Sequence, residues 1–353
     1  MTTLSINKNI KDFVCTKCRS ELKETDKYYK CFTCNSIWPI SCNIPRFAKS
    51  EVEWSVFNAE EAKNVVELAE KTSWQEAINA YSHTLGTYTL RYIMDESRSD
   101  FHVILPLNSK ATVLDIGSGW GNIALTLSRL CRQVYCCDVN LTNLRLLNVR
   151  MRDREIDNVM AFQYEPNAPL RLPFSDSSID VVLLNGVLEW MGSVEISDSP
   201  GKLQLEGLKE IRRVLKPQGA LYIGIENRYS ISTLRGQRVH GELPFVGLFP
   251  RLISNLITKL VRRVSHRTYI YSLGGYRRLL RMAGFEQIDF YMPYPSYHHP
   301  NYLIPLKPSW VKRFWFDQLS VSRSRKYRLF RRLGLSRLPF HWLAYSFSIR
   351  CTK

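Results

Sequence analysis

The chain lacks the long apolar run that a membrane-spanning helix needs. Its most apolar stretch, Leu243 to Val264, is interrupted by a proline and by cationic side chains, and so falls short of the roughly 18 uninterrupted apolar residues of a spanning helix. The start of the chain also lacks an apolar segment behind basic residues, so we expect no signal peptide. We therefore expect a cytoplasmic protein rather than an exported or membrane-spanning one.

Acidic residues are scarce in the last third of the chain. Residues 228–353 hold 23 of the 49 Lys and Arg side chains but only 4 of the 32 Asp and Glu side chains. The preceding residues are nearly neutral, with 26 basic and 28 acidic side chains. A cationic region of this kind attracts phosphate on nucleic acid, on anionic lipid or on a small molecule, and charge alone leaves these alternatives open.

Length and composition are those of a globular protein. An apolar content of 45% supplies enough hydrophobic surface to offset the entropy of ordering, which excludes a disordered chain. The 353 residues correspond to about two domains at roughly 150 residues each. Nine cysteines without a secretory signal favour metal binding or buried thiols over disulfides.

Four cysteines form two Cys-x-x-Cys pairs near the start of the chain. Cys15 and Cys18 are separated from Cys31 and Cys34 by twelve residues, which is the spacing of a zinc ribbon. Each pair aims two thiolates at one point, and two pairs complete a closed tetrahedral site, which makes the predicted zinc structural. Four unrelated buried thiols or a redox pair are the alternatives, although no βαβ pattern surrounds these residues.

A resemblance appears where this ribbon continues into Trp38, Pro39 and Ile40. The segment is similar to the small ribbon that precedes many bacterial methyltransferase domains. Where that family has an acidic residue and Gly, this chain has Cys42 and Asn43. We interpret Cys42 as a spare buried thiol, with a replacement ligand as the alternative.

The segment 51–108 has helical periodicity and predicts a helical bridge between the ribbon of residues 1–50 and the rest of the chain. Apolar residues recur at intervals of three or four around Val65 and Trp74. The bridge ends in a polar Asp-Glu-Ser-Arg segment. This segment is either a solvated helix end or the place where Glu96 or Arg98 closes over a cofactor.

A strand, a glycine loop and a helix follow one another from residue 111. The apolar run 111–116 contains Asp115 and leads directly into a glycine-rich loop and a helix, the context that a nucleotide-binding loop requires. A second predicted strand ends at Asp138, 17 residues beyond Gly121, where a carboxylate can accept both ribose hydroxyls. NAD, FAD and S-adenosylmethionine all contain adenosine, and this pattern alone does not choose among them.

The run VLDIGSGWGN closely resembles motif I of class I S-adenosylmethionine methyltransferases, of the type 11 group. Segments 172–190, 208–227 and 272–291 resemble later motifs of the same family, in the same order. The resemblance implies a Rossmann-like α/β domain over 109–353, with a seven-stranded sheet whose last strand is antiparallel, and basic inserts at 228–270 and 293–340. It implies S-adenosylmethionine as cofactor, bound by Asp115, Gly117, Ser118, Gly119, Gly121, Asp138 and Asn185.

The acceptor is expected beyond the carboxyl ends of the strands, where ligands of open α/β sheets bind. Glu189 and Glu226 follow two predicted strands there, and His240 lies in a long loop. These three residues are the candidate catalytic residues, since an oxygen nucleophile needs a base. His240 can equally be a structural loop residue, and Tyr297 with the two following histidines is either a substrate clamp or a polar turn.

Both inserts begin at strand ends and are therefore expected to fold over the rim of the active site. The first contains an amphipathic helix, with Leu256 and its apolar neighbours on one side and Arg251, Lys259 and Arg262 on the other. We consider it either a lid packed on its own domain or an element at the inner face of the membrane.

The inserts resemble a narrower bacterial group associated with surface-polysaccharide or secondary-metabolite synthesis. That resemblance implies O-methylation of a small-molecule, sugar or lipid-linked glycan acceptor that carries phosphate. The alternative is an RNA base methyltransferase, because certain rRNA guanine methyltransferases also join a four-cysteine ribbon to this fold. A non-enzymatic scaffold is a third interpretation, which the intact glycine loop and Asp138 disfavour.

Overall fold

The computed structural model of the chain describes most of its length. The described residues are 13–50, 58–84, 87–166, 169–193, 198–238, 243–321 and 340–353.

Twelve strands of the described residues form one mixed sheet. In chain order they are β1 (Leu22–Glu24), β2 (Tyr28–Cys31), β3 (Ile37–Ser41), β4 (Ile44–Phe47), β5 (Thr112–Ile116), β6 (Gln133–Asp138), β7 (Val159–Tyr164), β8 (Ile179–Asn185), β9 (Leu215–Glu226), β10 (Gln287–Ser296), β11 (His299–Pro305) and β12 (Ser346–Thr352). Their order in the sheet is β1-β2-β3-β4-β7-β6-β5-β8-β9-β12-β10-β11.

Helices lie along and between these strands. The α-helices are α1 (Ala59–Lys71), α2 (Trp74–Ala80), α3 (Thr87–Met94), α4 (Asn122–Leu127), α5 (Leu141–Asp153), α6 (Pro200–Val214), α7 (Ile231–Leu234), α8 (Arg251–Arg262), α9 (Leu273–Met282) and α10 (Pro308–Val321). Short 3-10 helices include Glu96–Ile104 and Leu188–Trp190. Among the described residues, no helix is both long and apolar enough to cross a bilayer.

The sheet contains the predicted seven strands but is larger, so the prediction of a seven-stranded sheet was wrong about its extent. The seven are β7-β6-β5-β8-β9-β12-β10, and β12 runs antiparallel to both of its neighbours. On one edge β4 pairs in parallel with β7 through Arg46 and Phe47, which joins the ribbon strands to the sheet. On the other edge β11 folds back on β10.

The centre of the sheet sets the position of the site. β5 is buried along its whole length, as expected of a parallel strand covered on both faces. The chain proceeds from β5 to β6 and β7 in one direction, then returns to β8 and β9 on the other side of β5. This reversal creates a crevice at the carboxyl ends of the strands, where ligands of such sheets bind.

The ribbon packs into the same core as the sheet. Phe13 is 5% exposed, and its ring lies 5.2 to 5.6 Å from the rings of Phe47, Phe162 and Phe174. Phe162 belongs to β7, and Phe174 precedes β8, so this aromatic cluster joins the two parts of the chain. Burial of such rings is a large stabilising contribution.

The segment 51–108, predicted to be helical, contains α1, α2, α3 and the 3-10 helix Glu96–Ile104. Val65 and Val66 of α1 and Trp74 of α2 are buried against Leu146 and Val149 of α5. The apolar periodicity of this segment therefore identified a helical face that covers one helix of the sheet domain.

Candidate active site

A cavity of about 630 Å³ opens at the carboxyl ends of the central strands. This volume is typical of pockets for small molecules and cofactors. The cavity is lined by residues of the helical bridge, of the loops after β5 to β8 and of α6, among them Tyr92, Arg98, Asp115, Gly117, Ser118, Gly119, Trp120, Asp138, Val139, Tyr164, Glu165, Asn185, Gly186 and Trp190.

The glycine loop forms one wall of this cavity and requires its glycines for two reasons. Gly119 has φ +53° and lines the cavity, and a Cβ there would meet no atom within 4 Å. The space that a side chain would occupy is thus part of the cavity, where a ligand can approach the backbone. Gly121 has φ +77°, does not line the cavity, and lies where a Cβ would be 2.2 Å from Leu147 Cδ1. Its role is close packing of the loop against α5.

Three predicted cofactor residues present buried polar atoms to the cavity. Asp115 Oδ2, Ser118 Oγ and both amide atoms of Asn185 have no hydrogen-bond partner among the described residues. Buried polar groups are normally satisfied, so these atoms are suited to a polar ligand. Burial raises the pKa of Asp115 to about 7, the nearby Arg98 charge opposes this, and Asp138 adds to it.

Asp138 is held by the glycine loop itself. Its Oδ2 accepts a hydrogen bond from the Gly119 N–H at 2.9 Å, and its Oδ1 accepts one from the Asn140 N–H at 2.9 Å. Oδ1 also accepts a hydrogen bond from Asn143 Nδ2 at 3.5 Å, so Oδ2 is the oxygen that keeps a lone pair for a ribose hydroxyl. Burial raises the pKa of Asp138, while the backbone donors lower it.

The glycine loop is braced by a residue that sequence analysis missed. Arg150 of α5 is fully buried and donates to the Trp120 carbonyl at 2.6 Å and to Asn122 Oδ1 at 3.1 Å. Its guanidinium also lies 4.5 Å from the Trp74 ring of the helical bridge. The only signal in the sequence was an arginine on the buried face of an amphipathic helix, which does not show what it contacts.

The ribbon reaches the cavity through its last residues. Glu165, the residue directly after β7, lines the cavity and accepts hydrogen bonds from the Lys49 N–H at 2.8 Å and from the Ser50 hydroxyl. Gln163 is fully buried. Its Oε1 accepts a hydrogen bond from Arg46 Nε at 2.8 Å, and its Nε2 donates one to the Val139 carbonyl at 2.9 Å. Val139 also lines the cavity.

In the Asp-Glu-Ser-Arg segment, Arg98 faces the cavity and Glu96 faces away from it. Arg98 is 6% exposed, lines the cavity and lies 3.5 Å from the centre of the Tyr92 ring. Glu96 instead faces outward and pairs with Arg129 and Arg154 at 3.1 and 3.0 Å. Tyr92, which also lines the cavity, was not identified from the sequence because it reads as an ordinary residue of a helical face.

Two predicted catalytic carboxylates lie together behind Gly186 at the ends of β8 and β9. Glu189 is fully buried, and Glu226 Oε1 accepts a hydrogen bond from the Tyr297 hydroxyl at 2.9 Å. A Cβ on Gly186 would be 3.0 Å from the Tyr297 hydroxyl and 3.7 Å from Glu189 Oε1. Gly186 lines the cavity, so this acid–tyrosine cluster (Glu189, Glu226 and Tyr297) is separated from it by one glycine without a side chain.

Three histidines were considered as candidates from the sequence. His240, the third predicted catalytic residue, lies outside the described residues. His299 is 6% exposed, and its Nδ1 lies 3.4 Å from Asp95 Oδ2. The His298 ring lies 5.6 Å from the Tyr92 ring and 4.1 Å from the Tyr297 ring, so the start of β11 borders the acid–tyrosine cluster.

The four cysteines of the ribbon converge as their spacing predicts. Their sulfur atoms all lie within 4.8 Å of one another, with 3.5 Å between Cys15 and Cys34 and 3.4 Å between Cys18 and Cys31. Tetrahedral zinc with bonds of about 2.3 Å would place sulfurs about 3.8 Å apart, so the donor set fits zinc. Cys42 is exposed and outside this cluster, so its interpretation as a buried thiol was wrong. It occupies a turn with φ +52° that points it to solvent.

Comparison with known proteins identifies the central part of the chain. Residues 114–223, from β5 to β9, match a family described as a methyltransferase domain. The protein is a methyltransferase. None of the curated proteins matches the chain significantly. The cavity of this methyltransferase, with its glycine loop, Asp138 and the polar atoms of Asp115, Ser118 and Asn185, fits S-adenosylmethionine.

Solved structures similar to the methyltransferase are distant in sequence. The YcgJ protein from Bacillus subtilis is 16% identical with a TM-score of 0.40, covering 73% of this chain and 97% of that chain. A complex between the Haloferax volcanii Trm112 methyltransferase activator and a methyltransferase is 15% identical with a TM-score of 0.44, and the match covers 85% of this chain and 99% of that chain. A SAM-dependent methyltransferase from Thermotoga maritima is 16% identical with a TM-score of 0.43, and the match covers 78% of this chain and 98% of that chain.

Proposed function

We propose that this methyltransferase transfers a methyl group to a hydroxyl oxygen of a small-molecule or glycan acceptor. The observation that carries the proposal is the acid–tyrosine cluster at the ends of β8 and β9. Carboxylates are rarely buried without a reason, because their charge is costly to desolvate. Buried ionisable groups beside a pocket are candidates for proton transfer.

When bound, S-adenosylmethionine supplies the methyl group and leaves as a neutral thioether that needs no acid. A hydroxyl acceptor must lose its proton as its oxygen bonds to the methyl carbon, so a base is required. In our proposal the Tyr297 hydroxyl, which donates to Glu226 at 2.9 Å, receives the acceptor proton as its own passes to Glu226. Because a Cβ on Gly186 would be 3.0 Å from the Tyr297 hydroxyl, the missing side chain leaves room for Tyr297. In our proposal the acceptor hydroxyl reaches Tyr297 beside Gly186, which lines the cavity.

An anionic acceptor fits the charge of the molecule. Arg98 lines the cavity, and the 23 basic residues after position 227 include those of both inserts. We therefore propose phosphate on the acceptor, for which these cations provide long-range attraction.

We further propose that Cys15, Cys18, Cys31 and Cys34 hold a structural zinc ion. All four positions of a tetrahedral site are then protein ligands, so the metal takes no part in methyl transfer.

RNA base methylation is the second candidate, and one feature of the ribbon favours it. Phe32 is 63% exposed, and Lys30 Nζ lies 5.1 Å from the centre of its ring. An exposed aromatic ring beside a cation is a common platform for an unpaired base. The acid–tyrosine cluster distinguishes the two candidates because it supplies the base that a hydroxyl acceptor requires.

The decisive experiment identifies the product. Cell extract and separately purified RNA are incubated with isotope-labelled S-adenosylmethionine and enzyme, and labelled products are analysed by mass spectrometry. We expect an O-methylated small molecule or glycan, and a rate that falls at least about 100-fold in Glu226→Gln and in Tyr297→Phe. Cofactor affinity should remain unchanged in both variants, because neither residue lines the cavity.

Two results would contradict the proposal. A labelled nucleotide in RNA, with Phe32→Ala impaired and Glu226→Gln active, supports the second candidate instead. Full turnover in both Glu226→Gln and Tyr297→Phe removes the cluster from the reaction. His240→Ala tests the remaining predicted base in the same assay.

A further inference from the structure

The first basic insert contains a helix whose apolar side faces outward. Leu252, Leu256 and Leu260 of α8 are 86%, 58% and 75% exposed, and Val261 is 63% exposed. The side facing the protein is polar instead, with Ser254 and Thr258 as its buried residues. A surface helix of a globular protein normally has the opposite arrangement.

Specific contacts fix this orientation. The Ser254 hydroxyl donates to two carbonyls outside the helix, those of Val246 at 2.8 Å and of Phe249 at 3.1 Å. At the start of the helix the Arg251 guanidinium lies 3.7 Å from the centre of the Tyr269 ring. These contacts use the polar side of α8, so turning the leucines inward would remove all of them.

Cations border the exposed apolar side. Lys259, Arg262 and Arg263 are exposed, and none of them has a carboxylate within ion-pair distance among the described residues. Residues 228–284 contain eleven Lys and Arg but a single acidic residue, Glu242. The aromatic rings of Phe245 and Phe249, 47% and 43% exposed, extend the apolar surface next to the helix.

We propose that this surface, α8 with Phe245 and Phe249, docks on an anionic lipid bilayer. An exposed helix with leucines on one side and Lys and Arg beside them is the pattern of helices that lie in the membrane interface. The cations complement lipid phosphates, whereas a second copy of the same surface would bring like charges together. The charge therefore favours a lipid surface over self-association.

The position of α8 relates this surface to the active site. Arg228, two residues beyond β9, donates to the Gly247 carbonyl at 2.6 Å and to the Phe249 carbonyl. Gln204 of α6 bonds both the Leu188 carbonyl and the Tyr269 carbonyl at 2.9 Å. The proposed docking surface is thus anchored at the end of the sheet where the cavity opens.

The test is sedimentation of the full chain with vesicles, without any methyl acceptor. The vesicles are phosphatidylcholine alone or with about 30 mol% phosphatidylglycerol, in about 0.1 M salt. We expect binding to the anionic vesicles only, at least about tenfold weaker in the double variant Leu256→Asp/Leu260→Asp. The variant Lys259→Gln/Arg262→Gln should also weaken binding, because each cation near the surface contributes.

Matched controls separate docking from folding. Val103→Asp places a single carboxylate at another apolar residue, which is 70% exposed, and should bind vesicles like the parent. The α8 variants should retain cofactor binding and the unfolding temperature, since the replaced side chains face solvent. Equal binding to neutral and anionic vesicles, or undiminished binding by the leucine variant, would overturn the proposal. So would absent vesicle binding together with a dimer, seen by analytical ultracentrifugation, that the leucine variant abolishes.

Discussion

The two additions to the methyltransferase sheet, the ribbon (residues 13–50) and the α8 insert, pack in opposite ways. The ribbon turns Phe13 and Phe47 inward, where Phe13 meets the rings of β7 and of the segment before β8. The α8 insert turns its leucines outward and holds itself to the protein by hydroxyl and guanidinium contacts. The ribbon therefore shares the core of the sheet, whereas α8 leaves its apolar side exposed for the docking that we propose.

Removal of the proposed zinc ion should give the largest effect on the ribbon side. A chelator, or Cys34→Ser, is expected to lower the unfolding temperature by at least about 10 °C, because a structural zinc site contributes directly to folding free energy. Cofactor affinity, measured by calorimetry, should fall with it, since Lys49 and Ser50 of the ribbon hold Glu165 at the cavity. Cys42→Ser, an exposed cysteine outside the cluster, is the matched control. An unchanged unfolding temperature after chelation would show that the ribbon folds without metal.

Truncation of one apolar side chain in each addition tests the comparison directly. Phe13→Ala should reduce the free energy of unfolding by about 3 to 5 kcal/mol, through lost burial and the cavity left behind. Leu252→Ala, at a residue that is 86% exposed, should change it by no more than about 0.5 kcal/mol. Urea unfolding measures both. A large loss at Leu252 would mean that α8 packs against the protein after all.

Substitution of Asp115, which lines the cavity, should raise the unfolding temperature but lower the affinity for the cofactor. The pKa of Asp115 is raised to about 7 by burial, above its unfolded value of about 3.9. Its contribution to stability is therefore full below about pH 4 and is lost as the pH rises through about 7. Asp115→Asn should consequently raise the unfolding temperature of the cofactor-free protein at pH 8.

The same substitution should weaken cofactor binding. The ionised carboxylate attracts the positive charges of S-adenosylmethionine, so affinity should rise about tenfold between pH 6 and pH 8 as Asp115 ionises. Asp115→Asn should bind weakly and without this pH dependence, as calorimetry at the two pH values would show. Retention of the full pH dependence in Asp115→Asn would assign it to another group.

Local patterns located residues that line the cavity and the four cysteines that cluster, while the binding of a cofactor by these cavity residues stays a prediction. The glycine loop, Asp138 and the four cysteines depend on spacings within one strand-loop-helix unit or one pair of knuckles, and the sequence shows these directly. The sheet was underestimated because β4 meets β7 over only two residue pairs, which are distant in the chain.

Local patterns did not predict which way a helix side faces or which residues distant in the chain come into contact. The periodicity of α8 defined an apolar side but not whether that side faces the protein. The bond from Tyr297 to Glu226 depends on the path of the β10–β11 hairpin, which no local pattern specifies. Cys42 is exposed because of a left-handed turn, a conformation that is uncommon for residues other than glycine.

The smallest expected effect concerns the contact between ribbon and cavity. Glu165→Gln replaces one acceptor oxygen by an amide that cannot accept from both Lys49 N–H and Ser50. Cofactor affinity should fall by only about three- to tenfold, because a single hydrogen bond to a charged group is weakened. Glu286→Gln changes an exposed carboxylate between α9 and β10 and should leave cofactor affinity unchanged. Leu256→Asp on α8 should also leave it unchanged. If Glu165→Gln binds the cofactor like the parent, the ribbon stabilises the fold without positioning the cavity, and the contrast with α8 reduces to one of packing alone.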